Sequence, residues 1–219
     1  MRKDTNTNIQ HLREDYRASK LEMKMVKDNP LEQFSGWIED AIRAQVPEPN
    51  AMTLATATPD GIPSARTVLL KGYDENGLVF YTNYKSQKGR EIAQNPHACL
   101  VFCWLDLQRQ IRINGKIEKL SSAASLDYFQ SRPKSSQIGA WASPQSQTIK
   151  NDRSDLEANE AQIKADYKDA DQLPLPPNWG GFRLMPTSYE FWQGRTSRLH
   201  DRIFYELKET VWKKSRLAP

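Results

Sequence analysis

Between Glu190 and Arg202 the chain brings together Phe191, Trp192, Gln193, Arg198, His200 and Arg202. These residue types suit a flat, anionic ligand. Aromatic faces lie against a conjugated ring, guanidiniums give planar paired donors to phosphate or carbonyl oxygens, and an imidazole exchanges a proton near neutral pH. The plainer reading is a strand whose aromatics pack in a core and whose arginines face water. Further cations and amides stand at expected strand and helix ends: Arg66 and Lys71, Lys88, and Gln110 after Arg109. Singly, each reads as a solvated surface group, and a regular strand would aim Arg66 and Lys71 at opposite faces. No Gly-x-Ser-x-Gly, His-Glu-x-x-His, P-loop or post-strand Gly-x-Gly-x-x-Gly is present, so demanding chemistry would fall to a cofactor.

Positioning such groups takes a scaffold, and the hydrophobic pattern describes one. Residues 1–26 are charged with little periodicity and read as a flexible arm, with at most a short helix. Asn29-Pro30 opens a helix with Leu31, Phe34, Ile38, Ala41 and Ile42 as its apolar stripe, and Pro47 and Pro49 end it. From Ala51 the period becomes strand-like: 52–58, 64–73 and 78–82, joined by Pro59-Asp60-Gly61 and Asp74-Glu75-Asn76-Gly77, read as a three-stranded meander. A helix over 87–94 precedes Asn95-Pro96, and strands over 98–104 and 109–119 follow. Ser121 or Ser122 caps a helix ending near Arg132-Pro133, and a second runs from Ser136 toward Trp141. A third starts at the capping box Ser154-Asp155-Leu156-Glu157, with Leu156, Ile163 and Tyr167 on one side. After the extended linker Leu173-Pro174-Leu175-Pro176-Pro177, strands over 179–183, 188–193, 202–207 and 211–214 close the chain. The fold class expected is mainly β with flanking helices (α+β), a barrel of antiparallel strands forming one domain over 27–219.

Composition sets the outer bounds. The chain has 219 residues, 38% of them hydrophobic, which supports a single substantial core. Its formal charge of +4 and pI near 9.0 are spread along the sequence and permit any anionic partner. Zinc-finger spacing, an aromatic-rich RNA-binding motif and long basic runs are missing, so no nucleic-acid partner is expected. No apolar run approaches the roughly 20 residues of a membrane span, and the N-terminus lacks an apolar signal core; a cytoplasmic protein without a membrane partner is expected. Cys99 and Cys103, inside an apolar run, read as buried reduced thiols sharing one strand face too far apart to bridge, and no metal site is expected.

Taken jointly, the motifs resemble those of the pyridoxine (pyridoxamine) 5′-phosphate oxidase family. The resemblance rests on Arg66-Thr67-Val68-Leu69-Leu70-Lys71, Phe80-Tyr81-Thr82-Asn83, Ser131-Arg132-Pro133, Ser136-Gln137-Ile138-Gly139-Ala140-Trp141, Trp179-Gly180-Gly181-Phe182-Arg183, the stretch from Glu190 to Arg202, and the ending Arg216-Leu217-Ala218-Pro219. It runs from about His11 to the last residue, in order and near the family's spacing. It implies a split β-barrel homodimer with FMN between subunits. The implied reaction oxidises pyridoxine or pyridoxamine 5′-phosphate to pyridoxal 5′-phosphate, with O2 reduced to H2O2. For FMN the resemblance implies Arg66, Thr67, Val68, Leu69, Leu70, Lys71, Tyr81, Thr82, Gln87, Lys88, Gln110, Gln145, Ser146, Trp192 and Arg202. For substrate it implies Lys71, Tyr128, Arg132 and Ser136 around the phosphate, Arg198, Leu199 and His200 over the ring, and Arg13 and Tyr16 closing from the arm. Arg198 and His200 would be the catalytic pair, acting by positioning. The chain departs from the family pattern at Gln87, where a basic residue is frequent, at Glu48 and at Arg195. A split-barrel flavin reductase would have no reason to keep Arg132, Ser136, Arg198 and His200 together, and tight flavin binding with peroxide formation would exclude a pyridoxal phosphate carrier or a basic nucleic-acid binder.

Overall fold

The computed structural model of the chain describes residues 15–17 and 19–219. Among these, five helices flank nine strands: α1 (Pro30–Arg43), α2 (Gln87–Gln94), α3 (Ser122–Ser131), α4 (Lys134–Ala142) and α5 (Arg153–Asp166). The strands are β1 (Ala51–Ala57), β2 (Pro63–Leu69), β3 (Gly72–Asp74), β4 (Gly77–Asn83), β5 (His97–Trp104), β6 (Arg109–Lys119), β7 (Trp179–Gln193), β8 (Asp201–Lys208) and β9 (Val211–Leu217). All join one antiparallel sheet in the order β2-β1-β5-β6-β7-β4-β3, with β8 on β7 and β9 on β8. The sheet curls until β2, at one end of that order, approaches β4 near the other, the curled half-barrel of a split-barrel fold.

The split is made by β7. One edge of this 15-residue strand pairs with β6 over Phe182–Gln193, while its other edge pairs first with β4, over Trp179–Leu184, and then with β8, over Ser188–Gln193. Pro186 lies in the gap between those two partners, where its missing N–H leaves no ladder bond unmade. The register shifts there, with Asn114 opposite Ser188 but Gly115 opposite Pro186, so Thr187 is a bulge. Two strands, 179–183 and 188–193, were expected from sequence; Pro186 bends one continuous strand instead of ending it.

Local chemistry explains the remaining elements. Asn29 Oδ1 accepts the Leu31 N–H at 2.8 Å, and Pro30 opens α1. Phe34 and Trp37 of α1 meet Phe102 and Phe191 edge-on, each at 5.3 Å between ring centroids, and so close the barrel's core. Each such fully buried side chain contributes about 1.5–3 kcal/mol. Ile42, assigned to that stripe, is exposed, because the helix's buried arc ends at Ala41. The expected 64–73 strand breaks at Leu70-Lys71: the Leu70 N–H reaches Asn50 O and the Lys71 N–H reaches Val79 O, so the chain crosses from β1 to β4 and no meander forms. α5 starts at Arg153, before the predicted box. Asp155 takes the N–H groups of Lys150 and Asn151, and Ser154 Oγ donates to Asn151 O instead of capping.

A second, smaller cluster of Phe129, Ile138, Leu173 and Trp179 seats α3 and α4 beside β7. On β5, Leu100, Phe102 and Trp104 take the core face, leaving Cys99 half-buried and Cys103 exposed on the other. They share a face as read, but Cys103 is not buried. Partial desolvation of the sulfur nevertheless pushes both thiols up. No helix among the described residues is long and apolar enough to cross a membrane.

Candidate active site

A cavity of about 690 Å³ lies where β2, β4, α2, α3, α4 and the start of β7 converge. Thr67, Val68 and Leu69 line it from the end of β2, Lys71 from the crossing, Tyr81 and Thr82 from β4, and Lys88 from the first turn of α2. Tyr128 of α3, Arg132, Ser136 of α4 and Gln145 complete the predicted wall, and Trp179, which was not among the expected site residues, joins it. Lys71, Lys88 and Arg132 are its cations, and no carboxylate is among its lining residues. Such a wall selects an anion.

Two cations are held ready. Lys88 is buried, with Nζ 3.4 Å from Thr82 Oγ1; burial and then the charge of Arg66 push its ammonium pKa down. It stands one residue into a helix whose N-cap, Ser86, accepts the Gly89 N–H, so helix and side chain both favour negative charge. Arg132 precedes Pro133, which keeps it extended (ψ 150°) and turns α3 into α4. Its guanidinium lies 4.8 Å over Trp179, burial pushes its pKa down, and its buried Nη1 has no hydrogen-bond partner among the described residues. A buried, unpaired donor on a cation calls for an acceptor from a ligand. Gln137, buried between Gln130 O, Arg132 O and the Leu173 N–H, fixes this corner. Tyr81 and Tyr128 stack at 3.9 Å behind it.

Other predicted groups fall outside this wall. Arg66 turns away to Thr56, Ser64 and Glu91, with Nη1 2.5 Å from Thr56 Oγ1 and Nη2 2.5 Å from Ser64 Oγ and 3.3 Å from Glu91. Glu91 also takes Thr56 Oγ1, Ser64 Oγ at 2.6 Å and the amide of Gln87 at 2.9 Å. Burial alone would raise the Glu91 pKa; these hydroxyls, Gln87 and Arg66 bring it down to about 2. Gln87 therefore serves Glu91 and does not face the cavity. Leu70 is buried in the core, and Ser146, with left-handed backbone (φ 66°), is exposed beyond Gln145. Gln145 Oε1 accepts from Thr82 Oγ1 at 3.1 Å.

The aromatic and cationic stretch that opened the sequence reading builds a separate cluster. Trp192, opposite Gln110 on β6, lies 4.6 Å from His200, and Tyr16 packs 5.9 Å from both rings. A methyl group on Gly194 would lie 2.8 Å from that tyrosine ring, so only glycine admits it. The Arg195 N–H donates to His200 Nδ1 at 3.1 Å; burial and then Arg198 push the imidazole pKa down. Ser197 and Arg198 are both left-handed, which sets Arg198 and Leu199 outward and exposed. Buried Glu190 accepts Arg202 Nε at 2.7 Å and Arg112 Nη2 at 2.5 Å, and its hydrogen bond raises the Arg202 pKa. Arg13 lies outside the described residues. Sequence reasoning missed Glu91, Glu190 and Asp201, acids that orient the arginines; Glu190 and Asp201 stand inside quoted motifs, while nothing near Glu91 marks it.

Trp179 and Trp192 end the same strand, 13 residues apart. At roughly 3.3 Å per residue they are at most about 40 Å apart along it, and none of Trp192, Arg198 and His200 lines the cavity, so the two sets form separate sites within one chain.

A family model described as "Pyridoxamine 5'-phosphate oxidase" matches residues 38–192, and one described as "Pyridoxine 5'-phosphate oxidase C-terminal dimerisation region" matches residues 179–219. The pyridoxine/pyridoxamine 5′-phosphate oxidase of Salinibacter ruber is 52% identical over 95% of this chain and 97% of its own. That of Paraburkholderia xenovorans is 53% identical over 97% of this chain and all of its own. Among solved structures, PhzG from Burkholderia lata, in complex with tetrahydrophenazine-1-carboxylic acid, superposes with a TM-score of 0.87 at 32% identity, covering 94% of this chain and all of that one. A pyridoxamine 5′-phosphate oxidase-related, FMN binding protein from Nostoc punctiforme has the same fold, with a TM-score of 0.70 at 20% identity over 89% of this chain and all of that one.

Proposed function

The chain belongs to the pyridoxamine 5′-phosphate oxidase family, and on that premise we propose that it is an FMN-dependent oxidase converting pyridoxine or pyridoxamine 5′-phosphate to pyridoxal 5′-phosphate. The observation that carries this reading is the cavity with three cations, no lining carboxylate, and an unpaired buried donor on Arg132. Bound FMN would supply the redox chemistry, as acceptor at N5 of a hydride from substrate C4′ with O2, reduced to H2O2, as the final oxidant; the alcohol or amine would also lose a proton, and the imine from the amine would be hydrolysed to the aldehyde with release of ammonia.

The chain's own residues bind, orient and shield. Lys88 and Thr82 take the cofactor phosphate, with the Arg66 charge behind them; Lys71, Gln110 and Arg202 donate to flavin heteroatoms. Lys71, Tyr128, Arg132 and Ser136 take the substrate phosphate, which puts binding energy at a distance from the reacting carbon. Arg198 and His200 hold the pyridine ring, and Tyr16, with Arg13, closes over it. Since the two residue sets lie apart in one chain, the working site takes the cavity of one copy and the Trp192–His200 cluster of a second. The match to a dimerisation region over 179–219 supports that homodimer. Residues 27–219 act as one domain, with 1–26 as its closing arm.

Anaerobic addition of pyridoxine 5′-phosphate to the purified protein tests the reading. A flavin spectrum should bleach, then return with air as peroxide appears; a spectrum that stays oxidised excludes the proposed reaction. Unphosphorylated pyridoxine should react poorly, whereas turnover of a tricyclic acid like the ligand of the Burkholderia lata structure would favour the other chemistry. Arg132→Met should leave flavin content intact and raise KM about 100-fold, the scale of a lost charge-assisted phosphate contact, while Lys71→Ala impairs flavin and substrate binding together. Equal flavin content in the two variants would count against the double role of Lys71.

A further inference from the structure

Three hydrogen bonds meet at the side chain of Asp201, the first residue of β8. Its Oδ2 accepts the Leu21 N–H at 3.1 Å and Arg195 Nη1 at 3.0 Å; its Oδ1 accepts Arg216 Nη1 at 2.6 Å. Arg216 Nη2 then donates to Leu21 O at 2.7 Å, so both backbone groups of Leu21 are held by one ion pair. Leu21 itself is buried, and the Asp201 side chain is only 13% exposed. Arg195, whose side chain joins this pair, is also the residue whose N–H holds His200 Nδ1.

We propose that Asp201 and Arg216 are positioning residues that clasp the N-terminal arm at Leu21 and thereby hold Tyr16 over His200 and Trp192, with Arg195 joining the clasp to the imidazole. The reach of the chain makes the clasp effective. Tyr16 is five residue steps from Leu21, so with Leu21 fixed the tyrosine stays within about 17 Å of it, and released it is tethered only farther along. Neither residue touches the cavity or the rings, so their effect on substrate passes through the arm. This rests on the reading of Tyr16 as a wall of the substrate site.

The test compares the wild-type holoenzyme with Asp201→Asn, Asp201→Glu and Tyr16→Ala. In Asp201→Asn the shape stays and the charge that gathers two guanidiniums goes. Trypsin should cut after Arg17 and Lys20 faster, and KM for pyridoxine 5′-phosphate should rise roughly three- to tenfold, with kcat within about twofold and flavin content unchanged. Asp201→Glu should restore part of both. Arg216→Gln, at a half-exposed position on the last strand, should repeat the shift if Asp201→Asn does not fold. An unchanged cleavage rate and KM in whichever of these folds overturns the clasp, as does joint loss of kcat and flavin. Should Tyr16→Ala raise KM while the clasp variants leave it alone, the clasp is wrong and the arm reading stands; should Tyr16→Ala leave KM alone, the arm reading fails and the proposal with it.

Discussion

His200 is fixed by a donor, and that decides what it can do. Because the Arg195 N–H occupies Nδ1, the neutral ring carries its proton on Nε2 and presents a donor to whatever lies there. Protonation would set two N–H groups against each other, and burial with Arg198 already pushes the pKa below the ordinary 6.5. A group with a lowered pKa is neutral through physiological pH and charges only in acid. The kcat/KM profile should therefore fall on an acid limb centred below pH 6.5, and His200→Gln should lose that limb; a limb that persists assigns it elsewhere. Residue types in the motif sufficed to nominate His200. Its tautomer was not legible, since it depends on where the left-handed turn at Ser197 and Arg198 folds the Arg195 amide. Arg66 teaches the converse: its type suggested a phosphate ligand, but four of its N–H contacts go to Leu54, Thr56, Ser64 and Glu91, the last 25 residues away.

At the level of elements, β7 positions both halves of the site, and its glycines show why Trp179-Gly180-Gly181-Phe182 reads as it does. A Cβ on Gly180 would run into the Tyr84 ring and hydroxyl and lie 2.9 Å from Ser125 Oγ; one on Gly181 would press on Leu120 and Tyr81. Gly180→Ala should cost about 1–3 kcal/mol of stability, measured by thermal unfolding, because the ring has no free space to enter. An unchanged midpoint would mean that Tyr84 moves freely. Strands whose apolar residues alternate, such as β6, were legible to the residue, and so was α2, with a Ser cap before it and Asn95-Pro96 after. β7 and the crossing at Lys71 were not. There the deciding fact is which strand lies alongside: β4 then β8 for one, β1 then β4 for the other.

For the whole molecule, the placing of the cavity and the His200 cluster at opposite ends of β7 makes the proposed site a property of two chains. Coexpressing an Arg132→Met chain with a His200→Gln chain tests it. In the mixed dimer one site collects both lesions and the other neither, so a statistical mixture should recover about a quarter of wild-type activity from two impaired parents. Recovery no better than the parents' average would return the site to a single chain. The sequence by itself determined most strand and helix periods, most turn and cap residues, the family, and which side chains carry charge or a ring, because each is written in local pattern or in short motifs. Only the tertiary structure decided that Arg66 faces Glu91, that β7 is one bent strand serving two partners, that the cavity and the His200 cluster stand apart, and that Leu21 meets Asp201 across 180 residues. Such contacts follow from how the sheet curls and which edges pair, and that is settled by summed burial and hydrogen bonding over the whole chain.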